Sequence, residues 1–166
     1  MKQQIIVSGM GGQGVLFLTR IIAGAGVNMG LEIFTSETHG MAQRGGTVIS
    51  FIKAGPFHSP LIRQGQGNIG IFLHIDNLDV HRGLLLPEAN LYVNSEKNGL
   101  YKNIAATKLA REMGSSVLTN LIMLGFAARS NSLFCKPEQL ETAIREISKE
   151  RFVDSNLAAF RRGLEG

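Results

Sequence analysis

The chain has 166 residues, of which 44% are hydrophobic and 18% charged, and this composition is typical of a globular protein rather than a disordered one. The net charge of +4 is shared evenly by the two halves without a basic block, which argues against nucleic-acid binding. The apolar stretches are too short for a membrane span or a secretory signal. We therefore expect one soluble, cytoplasmic domain over residues 1–166.

The first half of the chain alternates strands with helices. Val15, Leu18, Ile22 and Ala25 recur at the spacing of one helix face, and the run at 47–52 is β-branched and aromatic, as in a strand. The predicted elements are a strand at 4–8, a helix at 13–28, strands at 32–35, 47–52 and 69–73, a short helix at 77–82 and a strand at 90–93.

The second half is predicted to be mostly helical, with helices at 105–113, 117–129, from Pro137 onward, and at 153–164. Residues 121–128 are apolar almost all round, so that helix lies in the core or at a subunit contact. The isolated chain could self-associate through it or through a partner-facing surface. Together the elements predict an α/β fold: a three-layer, Rossmann-like, mostly parallel sheet with helices on both faces and a helical C-terminal part.

Cysteine and histidine usage points away from metal chemistry. The single cysteine, Cys135, forms no internal disulfide and holds no iron–sulfur cluster by itself, since such clusters usually need four thiolates. We expect it to be an ordinary residue beside a helix. His58, His74 and His81 have no metal-like spacing, so we expect structural or surface roles and no metal site.

A glycine-rich turn, Gly9-Met-Gly-Gly-Gln-Gly14, separates the first strand from the first helix. Its glycines have the spacing of a dinucleotide-binding motif, which is a weak signal alone. One interpretation is an anion or nucleotide site at the helix N-terminus. The other is a tight turn that only permits close packing of helix on strand. A polar loop rather than a helix follows Glu37, which weakens the dinucleotide interpretation.

A second loop is predicted at 36–46, and it should meet the glycine turn at the carboxyl edge of the sheet. It holds Glu37, His39, Gln43 and Arg44 between glycines, and such polar groups are costly to bury unpaired. In one interpretation Arg44 binds a carboxylate or phosphate and His39 could carry a proton. In the other, a Glu37–Arg44 pair braces the loop internally.

These motifs resemble a known family. The stretch Ser8-Gly-Met-Gly-Gly-Gln-Gly-Val15 is similar to the start of the gamma subunit or domain of 2-oxoacid:ferredoxin oxidoreductases. Thr35-Ser-Glu-Thr-His-Gly-Met-Ala-Gln-Arg-Gly-Gly-Thr47 is closest to the corresponding beta subunit of indolepyruvate ferredoxin oxidoreductases. Ser59-Pro-Leu-Ile62, Asn120-Leu-Ile-Met-Leu-Gly125 and Asn156-Leu-Ala-Ala-Phe160 also fit.

The resemblance implies one subunit of an enzyme that decarboxylates a 2-oxoacid oxidatively, giving an acyl-CoA and reduced ferredoxin. It implies a partner subunit that carries thiamine diphosphate and iron–sulfur clusters, contact with ferredoxin only through that partner, and inactivity of this chain alone. The substrate class leans toward indolepyruvate or another arylpyruvate. The chain departs from the family in a short segment at 94–106, and a difference there is compatible with another substrate or another partner.

The resemblance also implies that both loops face the shared active-site region, with coenzyme A as the candidate ligand. No catalytic residue is assigned. Two other functions stay open from the residues alone: a stand-alone dinucleotide-binding oxidoreductase and a nucleotide-binding scaffold module. The candidate binding residues are Gly9, Gly11, Gly12, Gln13, Gly14, Glu37, His39, Gln43, Arg44, Gly45 and Gly46.

Overall fold

A computed structural model describes residues 1–39 and 46–166. In these residues six strands form one sheet. The strands are β1 (Gln3–Met10), β2 (Ile33–His39), β3 (Thr47–Ala54), β4 (Gly67–Phe72), β5 (Leu85–Asn94) and β6 (Lys102–Ile104). The helices are α1 (Val15–Asn28), α2 (Asp76–His81), α3 (Ala106–Glu112), α4 (Thr119–Ala128), α5 (Pro137–Ile147) and α6 (Val153–Glu165). Short 3₁₀ turns occupy Arg82–Leu84, Ser116–Leu118 and Glu150–Phe152.

The strand order is β2-β3-β1-β4-β5-β6. The pairs β1–β4, β4–β5 and β5–β6 are parallel, whereas β3 runs antiparallel to both β1 and β2. Residues 40–46 are too few for a parallel crossover, which needs about a dozen residues or more, so β2 and β3 are connected as a hairpin. The predicted α/β fold with a mostly parallel sheet is confirmed, with one antiparallel strand inserted beside β1.

The predicted loop at 36–46 is wrong in its first part. Residues 36–39 belong to β2, where Glu37 lies opposite Ser50 and His39 opposite Val48 of β3. β2 is an edge strand, and residues 33–38 are half-buried or exposed. Polar residues are common on such strands, and this is why the sequence resembled a loop.

The two faces of the sheet are covered unequally. The larger core lies between the sheet and α1, α3, α4, α5 and α6, where Ile5, Leu18 and Ile122 are fully buried. On the other face, Ile6 and Phe72 are covered by α2, the turn that follows it and loop residues such as Ile62. Helices therefore lie on both faces, as predicted, but nearly all helical mass is on one.

α4 is the apolar helix of the sequence analysis, and its residues are all buried within the chain. It lies between the sheet and α6. Of the two predicted placements, the core and a subunit contact, the structure therefore shows the core. α4 therefore cannot serve as the exposed face for self-association.

The crossing of α4 over α6 depends on two glycines. A Cβ at Gly125 would lie 2.0 Å from the Phe160 carbonyl oxygen, and one at Gly163 would lie 2.0 Å from the Ile122 carbonyl oxygen. Backbone atoms cannot move aside as a side chain can, so each position requires glycine for the helices to touch.

Three smaller features complete the fold. Cys135 is buried two positions before α5, and burial raises the pKa of its thiol to about 12, which is typical of an unreactive structural cysteine. β6 was missed because it has only three residues, Lys102–Ile104, within the short segment after β5. None of the described helices combines the length and apolar character that a membrane crossing demands.

Gly125→Ala should lower the free energy of unfolding by about 2–3 kcal/mol, because the added methyl group overpacks against α6 backbone. Gly24→Ala is the matched control. Its Cβ would meet the flexible end of Ile147 at 3.0 Å and the Ala143 Cβ at an ordinary 3.9 Å, and alanine is the better helix former. Urea denaturation followed by circular dichroism measures both. Equal midpoints for the two variants would contradict the close helix crossing.

Candidate functional site

The two loops meet at the carboxyl ends of β1 and β2. The antiparallel ladder places Met10 opposite Thr47, and beyond it the Gly11 N–H donates to the Gly46 carbonyl oxygen at 2.8 Å. The end of the second loop is thereby bonded directly to the glycine turn. The predicted meeting of the two segments is confirmed for the residues that the structure describes.

The glycine turn has a geometry that other residues would not adopt easily. Gly12 and Gly14 have positive φ angles of 89° and 81°, a region that side chains with a Cβ disfavour. At Gly14 a Cβ would also lie 2.3 Å from the Asn120 amide nitrogen. The turn is thus both a tight connection and a site of close backbone approach.

Gln13 braces the turn. Its Oε1 accepts a hydrogen bond from the Met10 N–H at 2.7 Å, and its Nε2 donates to the Leu73 carbonyl oxygen at 3.0 Å. Asn94 donates to the same carbonyl oxygen, also at 3.0 Å. The carboxyl ends of β1, β4 and β5 are therefore joined around one peptide group, and the Gln13 side chain serves the frame of the site.

The N-terminus of α1 keeps its positive partial charge uncompensated within the described residues. Gly14 is its N-cap, no side chain caps the helix, and its first turn contains no acidic residue. Asn120 donates to the Gly14 carbonyl oxygen at 3.2 Å, which fixes the turn without capping the N–H groups of the helix. Such a helix start favours an anion.

The second loop is only partly described. Glu37 is exposed on β2 and has an interaction partner, and His39 is the last residue of that strand. Gln43, Arg44 and Gly45, together with the predicted Glu37–Arg44 brace, lie outside the described residues. Gly46 is half-buried beside the glycine turn.

A buried polar cluster behind the turn was missed by sequence reasoning. The Ser8 hydroxyl lies 2.8 Å from His81 Nδ1, and Asn77 Nδ2 donates to both Ser8 Oγ and the Gly9 carbonyl oxygen at 2.8 Å each. Because Ser8 and Asn77 are buried, the cluster anchors α2 to β1 rather than presenting a nucleophile. Burial lowers the pKa of His81, and a neutral ring can accept from Ser8.

A groove of about 550 Å³ opens next to the turn. Asn120 belongs both to its wall and to the turn, Phe17 and Phe152 supply apolar surface, and Arg20 and Lys149 add positive charge. The contributing elements are distant in sequence, so no local motif could have revealed it. The groove can accept an apolar group close to the helix start.

Among residues 1–39 and 46–166, no group of three or more His, Cys, Asp or Glu side chains is placed to hold a metal ion. The described donors therefore do not form the ligand set that a metal ion or an iron–sulfur cluster needs.

The family model for pyruvate ferredoxin/flavodoxin oxidoreductase matches residues 4–166. The chain belongs to this family. The IorB subunit of indolepyruvate oxidoreductase from Archaeoglobus fulgidus is 32% identical over 189 residues, which cover 98% of this chain and 94% of the relative. The predicted family and the role as one subunit of a 2-oxoacid:ferredoxin oxidoreductase are confirmed.

Two solved structures share the fold. The gamma subunit of a keto/oxoacid ferredoxin oxidoreductase from Geobacter sulfurreducens has a TM-score of 0.79 and 25% identity, and the match covers 98% of this chain and 96% of that one. The 2-oxoglutarate:ferredoxin oxidoreductase from Magnetococcus marinus, with 2-oxoglutarate, coenzyme A and succinyl-CoA bound, has a TM-score of 0.80 and 21% identity. That match covers 99% of this chain but 30% of the larger one.

His81 should make folding stability depend on pH. Its folded-state pKa lies below the ordinary value of 6.5, so the unfolded chain takes up the proton first as the pH falls. The contribution of neutral His81 to the free energy of unfolding is complete above about pH 6.5. It is lost as the pH drops toward the folded-state pKa. Urea midpoints measured from about pH 7.5 to pH 5.5 should fall more steeply for the wild type than for His81→Gln. Parallel curves would contradict this role.

Proposed function

We propose that this chain, acting as one gamma-type domain, supplies an anion-binding wall to the active-site region that it shares with a thiamine diphosphate- and iron–sulfur-carrying subunit. The ligand held there is a phosphate group of coenzyme A, the acyl acceptor of the reaction. The partner supplies the decarboxylation and electron-transfer chemistry, and ferredoxin contacts this chain only through that partner. The cytoplasmic location also stays a prediction.

The hydrogen bond from Gly11 N–H to the Gly46 carbonyl oxygen carries this proposal. It holds the end of the second loop against the glycine turn, beside the uncapped start of α1. Arg44 lies two positions before Gly46 in the sequence, and this short chain distance supports its choice as the cationic partner. A guanidinium group and helix N–H groups converging on one point are the usual protein partners of a phosphate.

The proposed roles differ between the candidate residues. Gly12 and Gly14 permit the backbone geometry that exposes N–H groups, and Gln13 holds the turn in place. Arg44 supplies the charge. Gly9, Gly11, Gly45 and Gly46 permit close approach, Gln43 shapes the loop, and Glu37 lies on the strand that leads into it. His39 receives no proton-transfer role.

The Magnetococcus enzyme, whose fold this chain shares, was solved with coenzyme A bound, which supports the choice of ligand. The name of the Archaeoglobus relative supports indolepyruvate or another arylpyruvate as the 2-oxoacid. The comparisons favour the subunit function over a stand-alone dinucleotide-binding oxidoreductase or a nucleotide-binding scaffold.

A tagged chain expressed in its native host should co-purify with the thiamine diphosphate and iron–sulfur subunit. The eluate should reduce ferredoxin when a 2-oxoacid and coenzyme A are added, faster with indolepyruvate or phenylpyruvate than with pyruvate or 2-oxoglutarate. The chain purified alone should be inactive. A solitary chain that carries a bound dinucleotide would overturn the proposed partner, and a preference for 2-oxoglutarate would overturn the substrate class.

Arg44→Gln in the assembled enzyme should raise the KM for coenzyme A about tenfold or more, the effect of losing one charge-assisted hydrogen bond. The KM for the 2-oxoacid should stay unchanged. Arg145→Gln is the matched control, because Arg145 is exposed and its pair with Glu141 is long, at 3.8 Å, and such surface pairs contribute little. Equal coenzyme A KM values in the two variants would remove Arg44 from the proposed site.

A further inference from the structure

A second cationic cluster lies at the opposite edge of the sheet, around the start of β1 and the end of β3. It surrounds a cavity of about 550 Å³ whose lining includes Lys53, His58, Ser59 and Arg63. From Gln4 at this cavity to Met10 at the glycine turn, β1 advances about 20 Å at roughly 3.3 Å per residue. The cluster is therefore separate from the proposed coenzyme A site.

Lys53 is the centre of this cluster. Its side chain is buried, with the residue only 7% exposed, and its Nζ donates to the Leu61 carbonyl oxygen at 2.8 Å. The same Nζ lies 4.6 Å from the centroid of the Phe57 ring, and Lys2 Nζ lies 5.1 Å from that ring. An ammonium group has three donor hydrogens. The Leu61 carbonyl oxygen and the face of the Phe57 ring therefore leave part of its hydrogen-bonding capacity unused.

Among residues 1–39 and 46–166, no ion pair joins Lys53 to an acidic side chain, and the pairs of His74, Arg145, Arg161 and Arg162 lie elsewhere. Burial, followed by the like charges of Arg63 and Lys2, lowers the pKa of Lys53. A buried cation surrounded by other cations is costly, and a bound anion would offset that cost.

We propose that this cavity binds the phosphate or carboxylate group of a small molecule between Lys53 and Arg63. The cavity volume lies within the range of small-molecule sites. His58, Ser59 and Gln66 add polar groups to its wall, and the exposed Arg63 guanidinium can reach an oxyanion with two parallel donors. Its position makes it independent of the coenzyme A site, so either proposal can fail alone.

Titration of the isotope-labelled full chain with inorganic phosphate, and separately with malonate, tests the site by backbone amide NMR. Saturable shifts should appear at Lys53 and at residues 57–66 at constant ionic strength. Arg63→Gln should weaken binding about tenfold or more, as expected for the loss of one charge-assisted hydrogen bond. Arg111→Gln, which removes an exposed arginine at the end of α3, should leave binding unchanged.

Saturation by phosphate alone or by malonate alone supports the site and identifies which oxyanion it takes. Lys53→Met should also abolish binding, and if that variant does not fold, Arg63→Gln decides. Failure of both probes to saturate, or equal binding by Arg63→Gln and Arg111→Gln, overturns the proposal. Binding to the free chain that disappears in the assembled enzyme also overturns it, since the cavity would then receive a partner subunit.

Discussion

The antiparallel pairing of β3 with β1 determines where the functional segments of this protein lie. It places the end of the β2–β3 hairpin beside the glycine turn, so that Gly46 can accept the Gly11 N–H. It also places Lys53, near the other end of β3, beside Gln4 at the start of β1. If β3 lay at the edge of the sheet instead, the second loop would not contact the glycine turn. The Lys53 cavity would not form either.

Buried and half-buried amide side chains hold the glycine turn rigid. Gln13, Asn77, Asn94 and Asn120 each bond to a backbone carbonyl at or next to the turn. Each hydrogen bond of this kind contributes about 0.5–1.5 kcal/mol to stability. A turn held from several elements needs little rearrangement to receive an anion, and this lowers the entropic cost of binding. The backbone N–H groups are thus positioned by side chains that need not touch the ligand.

The periodic elements of this fold could be predicted because their signals are local. The helical spacing of Leu140, Ala143 and Ile144 and the β-branched run of β3 point directly to α5 and β3. The polar half of β2 could not be predicted, because an edge strand loses the alternation that marks a buried one.

In the site, the glycine turn was visible in the sequence. The Ser8–His81 pair was not, since its members are 73 positions apart and only the fold brings them together. The same holds for Lys53 and its cationic neighbours.

The central place of β1 has a consequence for synthesis of the chain. β1 is made first, yet Ile5 pairs with Ile52 on one side and with Ile69 on the other. On the ribosome this apolar strand must therefore wait until β3 and β4 have emerged. The β2–β3 hairpin closes locally and can form before β4 has emerged, whereas the parallel pairing of β1 with β4 requires closing a long loop and is intrinsically slow. During that interval the apolar residues of β1 remain uncovered, and the nascent subunit is most vulnerable to aggregation.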